Sequence, residues 1–429
     1  MNLSQIKLKN LCACGKNHEC VTKNITIDSG ENLRKKLKNF IINEFGTNSN
    51  GCVICDFNTY QIIDSNLKDR CKAAILDIHS HHADEYMIEA CDDIIKNKDY
   101  DYFIAVGAGT IHDITRVISH KYNKKFISYP SAASVDGFVS VLAPVTSKDG
   151  MKNTIYAVAP VALFADIDIL ANAPKRLTAS GVGDILGKYI SLADWRMSNL
   201  LTGEYICEAI IEIIYNAVNK VRDTLIEYRK NQGFESYRKL CAELLEALVI
   251  SGVCMQYTGN SRPASAAEHH IAHLFEMNII LSTDCLHGEN VGVGSVLCAE
   301  LYHKFAESED IKFAGNYSIE HDIIKKYYKD LYGMIIKENT PDILEKITSE
   351  IFYDKLENIK KIIADIPSKE ELTELLDILG GIKDIDGIKA YDLKCGELEI
   401  APLAFKLAPY IRGRFTLMKF MKCVGNVTV

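Results

Sequence analysis

Three short stretches carry the side chains best suited to chemistry. Glu268-His269-His270-Ile271-Ala272-His273 sets His269 and His273 four residues apart, so on a helix they share one face. Leu286-His287-Gly288-Glu289 places a further histidine where the next helical pattern opens. Gly183-Asp184-Ile185-Leu186-Gly187-Lys188 puts Asp184 and Lys188 on a common face of an earlier helix. One carboxylate and two imidazoles, with a position left for substrate oxygen, suit a catalytic divalent metal. Such an ion polarises a carbonyl or stabilises an alkoxide. A histidine taken singly is more often a satisfied polar side chain, and periodicity does not select which of these histidines binds. Lys188, together with Arg262 in Asn260-Ser261-Arg262-Pro263, offers cations for a phosphate, with Ser261 adding a hydrogen bond. The ordinary alternative is a structural ion pair.

A second constellation is Gly107-Ala108-Gly109-Thr110, which closes an apolar run and opens a helical pattern. Glycines there let the backbone approach a phosphate, and the helix start offers N–H groups and positive dipole charge. The full G-x-G-x-x-G fingerprint is absent, because His112 holds the third glycine position. Asp56 follows an earlier apolar run, where a carboxylate accepts hydrogen bonds from a ribose and repels a 2′-phosphate; its plain reading is a solvated strand end. Cys12, Cys14, His18 and Cys20 are spaced for a small zinc knuckle, against which stands a simple turn with thiols. His79, His81 and His82 cluster at a strand end without sharing a helical face, and read as surface histidines.

The elements that must position these residues fall into two sets. Val53 to Cys55, Ala73 to Leu76, Tyr102 to Val106 and Phe126 to Tyr129 read as strands, with helices at Tyr86 to Lys96 and Ile111 to His120. That alternation predicts a parallel sheet with crossover helices. Beyond about residue 170 long helical periodicities take over: Ser180 to Trp195, Glu204 to Arg229, Tyr237 to Tyr257, Ala266 to Glu276 and Gly292 to Phe305. The expected organisation is an α/β nucleotide-binding domain over residues 1–170 and an all-α metal- and substrate-binding domain over 171–429. With 429 residues, two domains are the natural count. A net charge of −8 argues against nucleic acid as the partner, and no apolar run reaches the ~18 residues of a membrane span. The N-terminus lacks a hydrophobic signal core, and the 14 scattered cysteines read as reduced thiols. The expected setting is the cytoplasm.

Six ordered motifs carry a resemblance. They are Gly107 to Asp113 (GAGTIHD), Tyr129 to Ser140 (YPSAASVDGFVS), Ala165 to Lys175 (ADIDILANAPK), Ala179 to Trp195 (ASGVGDILGKYISLADW), Met255 to His273 (MQYTGNSRPASAAEHHIAH) and Leu286 to Gly294 (LHGENVGVG). Through them the chain resembles the sn-glycerol-1-phosphate dehydrogenases, in particular their bacterial AraM-like branch. Those enzymes share a superfamily with iron-type alcohol dehydrogenases, glycerol dehydrogenases and dehydroquinate synthases. The likeness covers residues 10–305 and extends loosely to Ile411 to Thr416 (IRGRFT). It implies a dehydroquinate synthase-like fold, NAD or NADP as cofactor, one divalent metal (zinc, nickel or iron), and a homodimer or larger homo-oligomer.

The resemblance also assigns roles. Asp184, His269 and His287 correspond to the metal ligands, and His273 and Asp136 to substrate-contacting residues. Gly107, Ala108, Gly109, Thr110, Asp113, Ser131, Ser134 and Ser140 correspond to cofactor contacts. Ala108 replaces the middle glycine of the usual motif, and Ser131 replaces a threonine while keeping the hydroxyl. The implied reaction is hydride transfer between NAD(P)H and dihydroxyacetone phosphate, giving sn-glycerol 1-phosphate for phospholipid metabolism. His273 would relay the proton, Asp136 orient a substrate hydroxyl, and Lys188 and Arg262 neutralise the phosphate. Glycerol dehydrogenase would need no such cations, and dehydroquinate synthase would need a larger basic set than the sequence displays. A non-enzymatic binding module built on the cysteine knuckle predicts no NADH turnover.

Overall fold

A computed structural model describes residues 12–150, 152–315, 318–388, 390–396 and 399–425. The chain forms two compact units. One comprises Asn216–Ser261 and the described residues up to Ile185; the other comprises Leu186–Tyr215 and the described residues from Arg262 onward. The first therefore gathers helical segments from beyond residue 170 as well as the nucleotide-binding pattern.

The first unit is built on eight strands, β1 (Asn24–Asp28), β2 (Gly51–Asp56), β3 (Cys71–Leu76), β4 (Tyr102–Gly107), β5 (Lys125–Pro130), β6 (Leu142–Thr146), β7 (Lys152–Tyr156) and β8 (Ala162–Asp166). Six of them form a sheet in the order β1-β8-β5-β4-β2-β3, every pair parallel; β6 and β7 form a separate antiparallel hairpin. β2, β4 and β8 are buried almost throughout, as parallel strands covered on both faces require. The two faces are visible within β2. Cys52 and Ile54 join Met87, Cys91, Ile111, Ile114 and Ile118 in one core, whereas Val53 and Cys55 join Leu33, Leu37, Ile41 and Leu67 in the other, following the two-residue period of a strand.

Between these strands lie α1 (Gly30–Phe45), α2 (Phe57–Gln61), α3 (Ser65–Arg70), α4 (Glu85–Ile95) and α5 (Gly109–Lys121), and α6 (Ile167–Asn172) and α7 (Lys175–Leu186) follow β8. After β2 the chain steps outward to β3, and after β4 it steps the other way to β5. The carboxyl ends of β2 and β4 therefore flank a topological switch point, where an open α/β sheet binds ligands.

The periodicity over Ser180 to Trp195 predicts one helix; the structure has two. α7 ends at Leu186 and α8 (Lys188–Thr202) starts after Gly187, whose carbonyl accepts the Ile190 and Ser191 amides and restarts the ladder. Asp184 and Lys188 thus sit on successive helices rather than one face. Next come α9 (Glu208–Lys230) and α10 (Phe234–Thr258). By length and composition alone α10 could pass for a membrane-spanning helix, but most of that stretch is buried inside the protein. Leu240, Leu244, Leu248 and Val253 are inside, and the helix packs on the turn Asp136–Val139.

The second unit is mainly helical. α11 (Ala267–Glu276) packs along α12 (His287–Glu307), and Gly294 permits the approach, since a Cβ there would lie 2.5 Å from the Glu268 carbonyl oxygen. Ser349–Ala364 lies against α8 and α12. Two small strand pairs, Leu281–Thr283 with Ala390–Leu393 and Lys312–Phe313 with Val424–Gly425, interrupt the all-α expectation. Buried Asp194 on α8 ties the unit together. It accepts the Leu417 amide (2.8 Å), the Ala267 amide (3.2 Å) and the Tyr302 hydroxyl (3.0 Å), and burial lifts its carboxyl to about 6.

Candidate active site

In the first unit the glycine turn lies at the switch point. A Cβ at Gly107 would stand 2.6 Å from the Ile111 side chain, and one at Gly109 would stand 2.9 Å from Val135. Ala108, in extended conformation, caps α5 and keeps its methyl, so the middle position tolerates the side chain that the flanking ones exclude. His112 fills the place of the third fingerprint glycine. It is buried between α5 and β5, with Nε2 2.8 Å from the Ser128 hydroxyl and Nδ1 3.0 Å from the Ala108 carbonyl; burial pushes it down to about 3, so it is neutral.

The cofactor candidates are engaged in different ways. Asp56 caps α2, its Oδ1 accepting the Thr59 amide at 2.7 Å. The Thr110 hydroxyl donates to the His81 carbonyl (2.7 Å). Asp113 pairs with buried Arg116, whose guanidinium also donates to the Gly137 and Leu142 carbonyls. The Ser131 amide donates to the Gly107 carbonyl, and Ser140 Oγ accepts the Leu142 amide (2.9 Å). The Ser134 hydroxyl is buried with no hydrogen-bond partner among the described residues. A polar cofactor atom would satisfy it, which fits a nucleotide at this turn.

The segment Ser131 to Ser140 is gripped from two sides. Gly181 of α7 approaches so closely that a Cβ would stand 2.0 Å from the Ala133 carbonyl oxygen, and Gly252 of α10 meets Val139 and the Asp136 carbonyl. Held there, Asp136 donates its amide to Oδ2 of buried Asp184 (2.9 Å) and accepts the Ser251 hydroxyl (2.9 Å).

In the second unit three imidazoles converge. Ring centroids of His269 and His287 are 5.2 Å apart, His273 and His287 5.7 Å, and His269 and His273 6.1 Å. Each Nδ1 faces a carboxylate. His269 meets Glu268 at 2.7 Å, while one carboxylate, Glu276, serves both His273 (2.9 Å) and His287 (2.6 Å). With Nδ1–H held this way, Nε2 is the nitrogen presented to a metal, the second-shell arrangement typical of metal histidines. Burial, then the Lys188 ammonium and neighbouring imidazoles, hold His269 well below its ordinary value; burial lifts Glu268 to about 8. Neutral imidazoles oriented by carboxyl oxygens fit a divalent ion. Glu276 has no sequence motif of its own; its only signal is a carboxylate three residues after His273.

The phosphate candidates also lie in the second unit. Lys188 is fully buried. Arg262 is buried as well, its guanidinium donating to Glu204 (3.0 Å) and the Asp194 carbonyl, so the structural ion pair is present. Arg414 donates to the Ser265 carbonyl (3.0 Å); burial, then Arg262 and Arg412, hold it down to about 10. A cluster of guanidiniums is therefore larger than Arg262 alone suggested. The remaining histidine group stays dispersed: His79 pairs with Asp84 (3.0 Å) and His82 Nδ1 lies 3.4 Å from the Lys152 ammonium.

A parallel nucleotide-type sheet and carboxylate-oriented histidines define a class of dehydrogenase folds, and residues 28–174 match the family of iron-containing alcohol dehydrogenases. The chain is similar to glycerol dehydrogenase from Schizosaccharomyces pombe (TM-score 0.51, 19% identity, 92% of this chain and 91% of that one). It is similar in fold also to a probable glycerol dehydrogenase from Sinorhizobium meliloti (TM-score 0.51, 16% identity, 90% and 97%). In sequence it is 32% identical over 426 residues to glycerol-1-phosphate dehydrogenase [NAD(P)+] of Halalkalibacterium halodurans, covering 95% of this chain and 94% of that protein. It is 34% identical to the Pyrococcus horikoshii enzyme of the same name, over 64% and 77% of the two chains. The chain belongs to the glycerol-1-phosphate dehydrogenase family.

Proposed function

We propose that the chain reduces dihydroxyacetone phosphate to sn-glycerol 1-phosphate with NADH or NADPH, in the cytoplasm, using one divalent metal. The observation that carries this reading is the trio of histidines on α11 and α12 with every Nδ1 hydrogen-bonded to a carboxyl oxygen. In the proposal His269 and His287 hold the metal, and the resemblance assigns Asp184 as a further ligand. When bound, the metal supplies Lewis acidity to the substrate carbonyl, and the nicotinamide supplies the hydride.

The chain's own residues do the rest. The turn Gly107 to Thr110, with Ser131 and Ser134, receives the pyrophosphate at the start of α5; Asp113 holds Arg116 and through it the loop behind, and Ser140 fixes the entry to β6. Asp56, spent partly on its cap, faces the ribose side of the switch point. His273, as the imidazolium with Nδ1–H held by Glu276, gives its Nε2 proton to the reduced oxygen and regains one from solvent, ending each turnover as it began. Asp136 orients a substrate hydroxyl, and the Ser251 hydroxyl orients Asp136. Lys188, Arg262, Arg412 and Arg414 set a positive potential for a phosphate. Arg262 acts there mainly by holding the Glu204 side of the cluster, since its own guanidinium is already paired.

The test is turnover of NADH and NADPH with dihydroxyacetone phosphate and with dihydroxyacetone, under defined zinc, nickel and iron. A strong preference for the phosphorylated ketone, with a stereospecific assay reporting the 1-phosphate, is expected. Preference for dihydroxyacetone, or formation of the 3-phosphate enantiomer, would sink the reading.

A further inference from the structure

We propose that Cys12, Cys14 and His18 bind a structural zinc ion, separate from the active-site metal, that fastens the N-terminal hook to the end of α10. The hook is a built turn. The Gly15 amide donates to the Cys12 carbonyl (2.8 Å), and the Cys12 amide donates to the Lys16 carbonyl (3.0 Å). Gly15 takes φ +80, a left-handed conformation that glycine adopts without strain. The turn carries both thiols to one side, and His18 returns beneath them with Nε2 3.3 Å from Cys14 Sγ. The ligand atoms of all three residues lie within 4.8 Å of one another. Zinc bonds of about 2.3 Å to sulfur and about 2.0 Å to nitrogen set ligand–ligand edges of roughly 3.5–3.8 Å in a tetrahedron, so the ion enters with small adjustments.

The histidine is oriented as a ligand. His18 is buried, and its Nδ1 lies 3.0 Å from the Tyr257 carbonyl. A carbonyl only accepts, so Nδ1 carries the proton and Nε2 presents its lone pair towards the thiols. Cys20, which the spacing alone includes in the knuckle, is turned elsewhere. Its thiol points to the Thr22 carbonyl and Gln256 Oε1, both at 3.3 Å. The site is therefore C-x-C-x-x-x-H, with the fourth position of the tetrahedron filled by one further ligand. Two soft thiolates with an imidazole favour zinc over hard cations. On binding, the two thiol protons pass to solvent and no oxidation occurs.

The hook is continuous with working parts of the first unit. Gln256, beside Tyr257, accepts the Val21 amide (2.8 Å) and donates to the Thr22 hydroxyl (2.9 Å) and the Val139 carbonyl. A zinc ion at the hook thus steadies the end of α10 that supports the turn Asp136–Val139.

Zinc stoichiometry and X-ray absorption at the zinc edge, on the full chain, test the assignment. The wild-type protein should hold a zinc with two or three sulfur neighbours and at least one nitrogen. His269→Ala should keep this sulfur-ligated zinc, whereas Cys12→Ser/Cys14→Ser should lose one equivalent together with all the sulfur scattering. Absence of sulfur-ligated zinc from the zinc-loaded wild type overturns the site, as does an unchanged sulfur shell in the double variant. The wild-type spectrum decides even if the double variant does not fold, and it is independent of which ketone the enzyme reduces.

Discussion

At the scale of single residues, the most informative side chain is one that binds nothing directly. Glu276 shares its two oxygens between His273 and His287, which requires both imidazoles to present Nε2. In Glu276→Gln one oxygen becomes an NH2 donor, which needs a nitrogen lone pair opposite it, so one ring is forced into the wrong tautomer. The variant should fold, bind the active-site metal roughly 10–100-fold more weakly, and lose activity in proportion at limiting metal; competition with a fluorescent chelator measures this. Unchanged metal affinity would mean that the carboxylate does not orient the ligands. A second residue prediction concerns charge. Arg412→Ala should raise KM for dihydroxyacetone phosphate about tenfold or more, the loss of one charge-assisted contact, while leaving turnover of dihydroxyacetone unaltered; steady-state kinetics with both ketones distinguish the cases. The histidine pair was readable because a helix makes i and i+4 neighbours. Glu276 was not, because spacing alone does not show a carboxylate serving two histidines on different helices, and the arginine cluster was not, because Arg262 and Arg414 are far apart in the chain.

At the scale of elements, packing of helix against loop depends on absent side chains. Gly181 and Gly252 let α7 and α10 close on the Ser131 to Ser140 segment, and a methyl group at Gly181 would collide with the Ala133 backbone, which has no rotamer to yield. Gly181→Ala should cost about 1–3 kcal/mol and weaken NADH binding, since the loop must shift. Gly333→Ala, where a Cβ meets nothing within 4 Å, is the control and should leave binding unchanged. Urea unfolding and NADH fluorescence titration read the two effects; equal behaviour of the variants would refute the clamp. The central strands β2 to β5 were legible as apolar runs ending in turn residues. β1 was missed because Asn24–Asp28 is a short, partly exposed edge strand, and β8 because its run merges with the expected domain boundary. The single helix expected over Ser180 to Trp195 was wrong because hydrophobic period continues across Gly187 while the backbone ladder does not.

At the scale of the molecule, the order of segments concealed which unit each joins: α10 reads as part of a helical domain, yet its contacts with the turn Asp136–Val139 place it in the first unit. Folding of that unit also depends on a buried base. His112 packs edge-on against Phe138, 4.8 Å between centroids, and burial pushes it down to about 3 from the ordinary ~6.5. The unfolded chain therefore takes up a proton as pH falls through about 6.5, and the folded chain resists until about 3. Its contribution to stability is complete above pH 6.5 and is lost progressively on acidification through that window, by roughly 4–5 kcal/mol at most. His112→Gln keeps an amide for the Ser128 hydroxyl and the Ala108 carbonyl but cannot titrate. It should be less stable than wild type at pH 7.5, through imperfect packing, and the gap should narrow as pH falls to 4.5. Urea midpoints across that range measure the slope, and parallel curves for the two proteins would show that His112 does not couple protonation to folding.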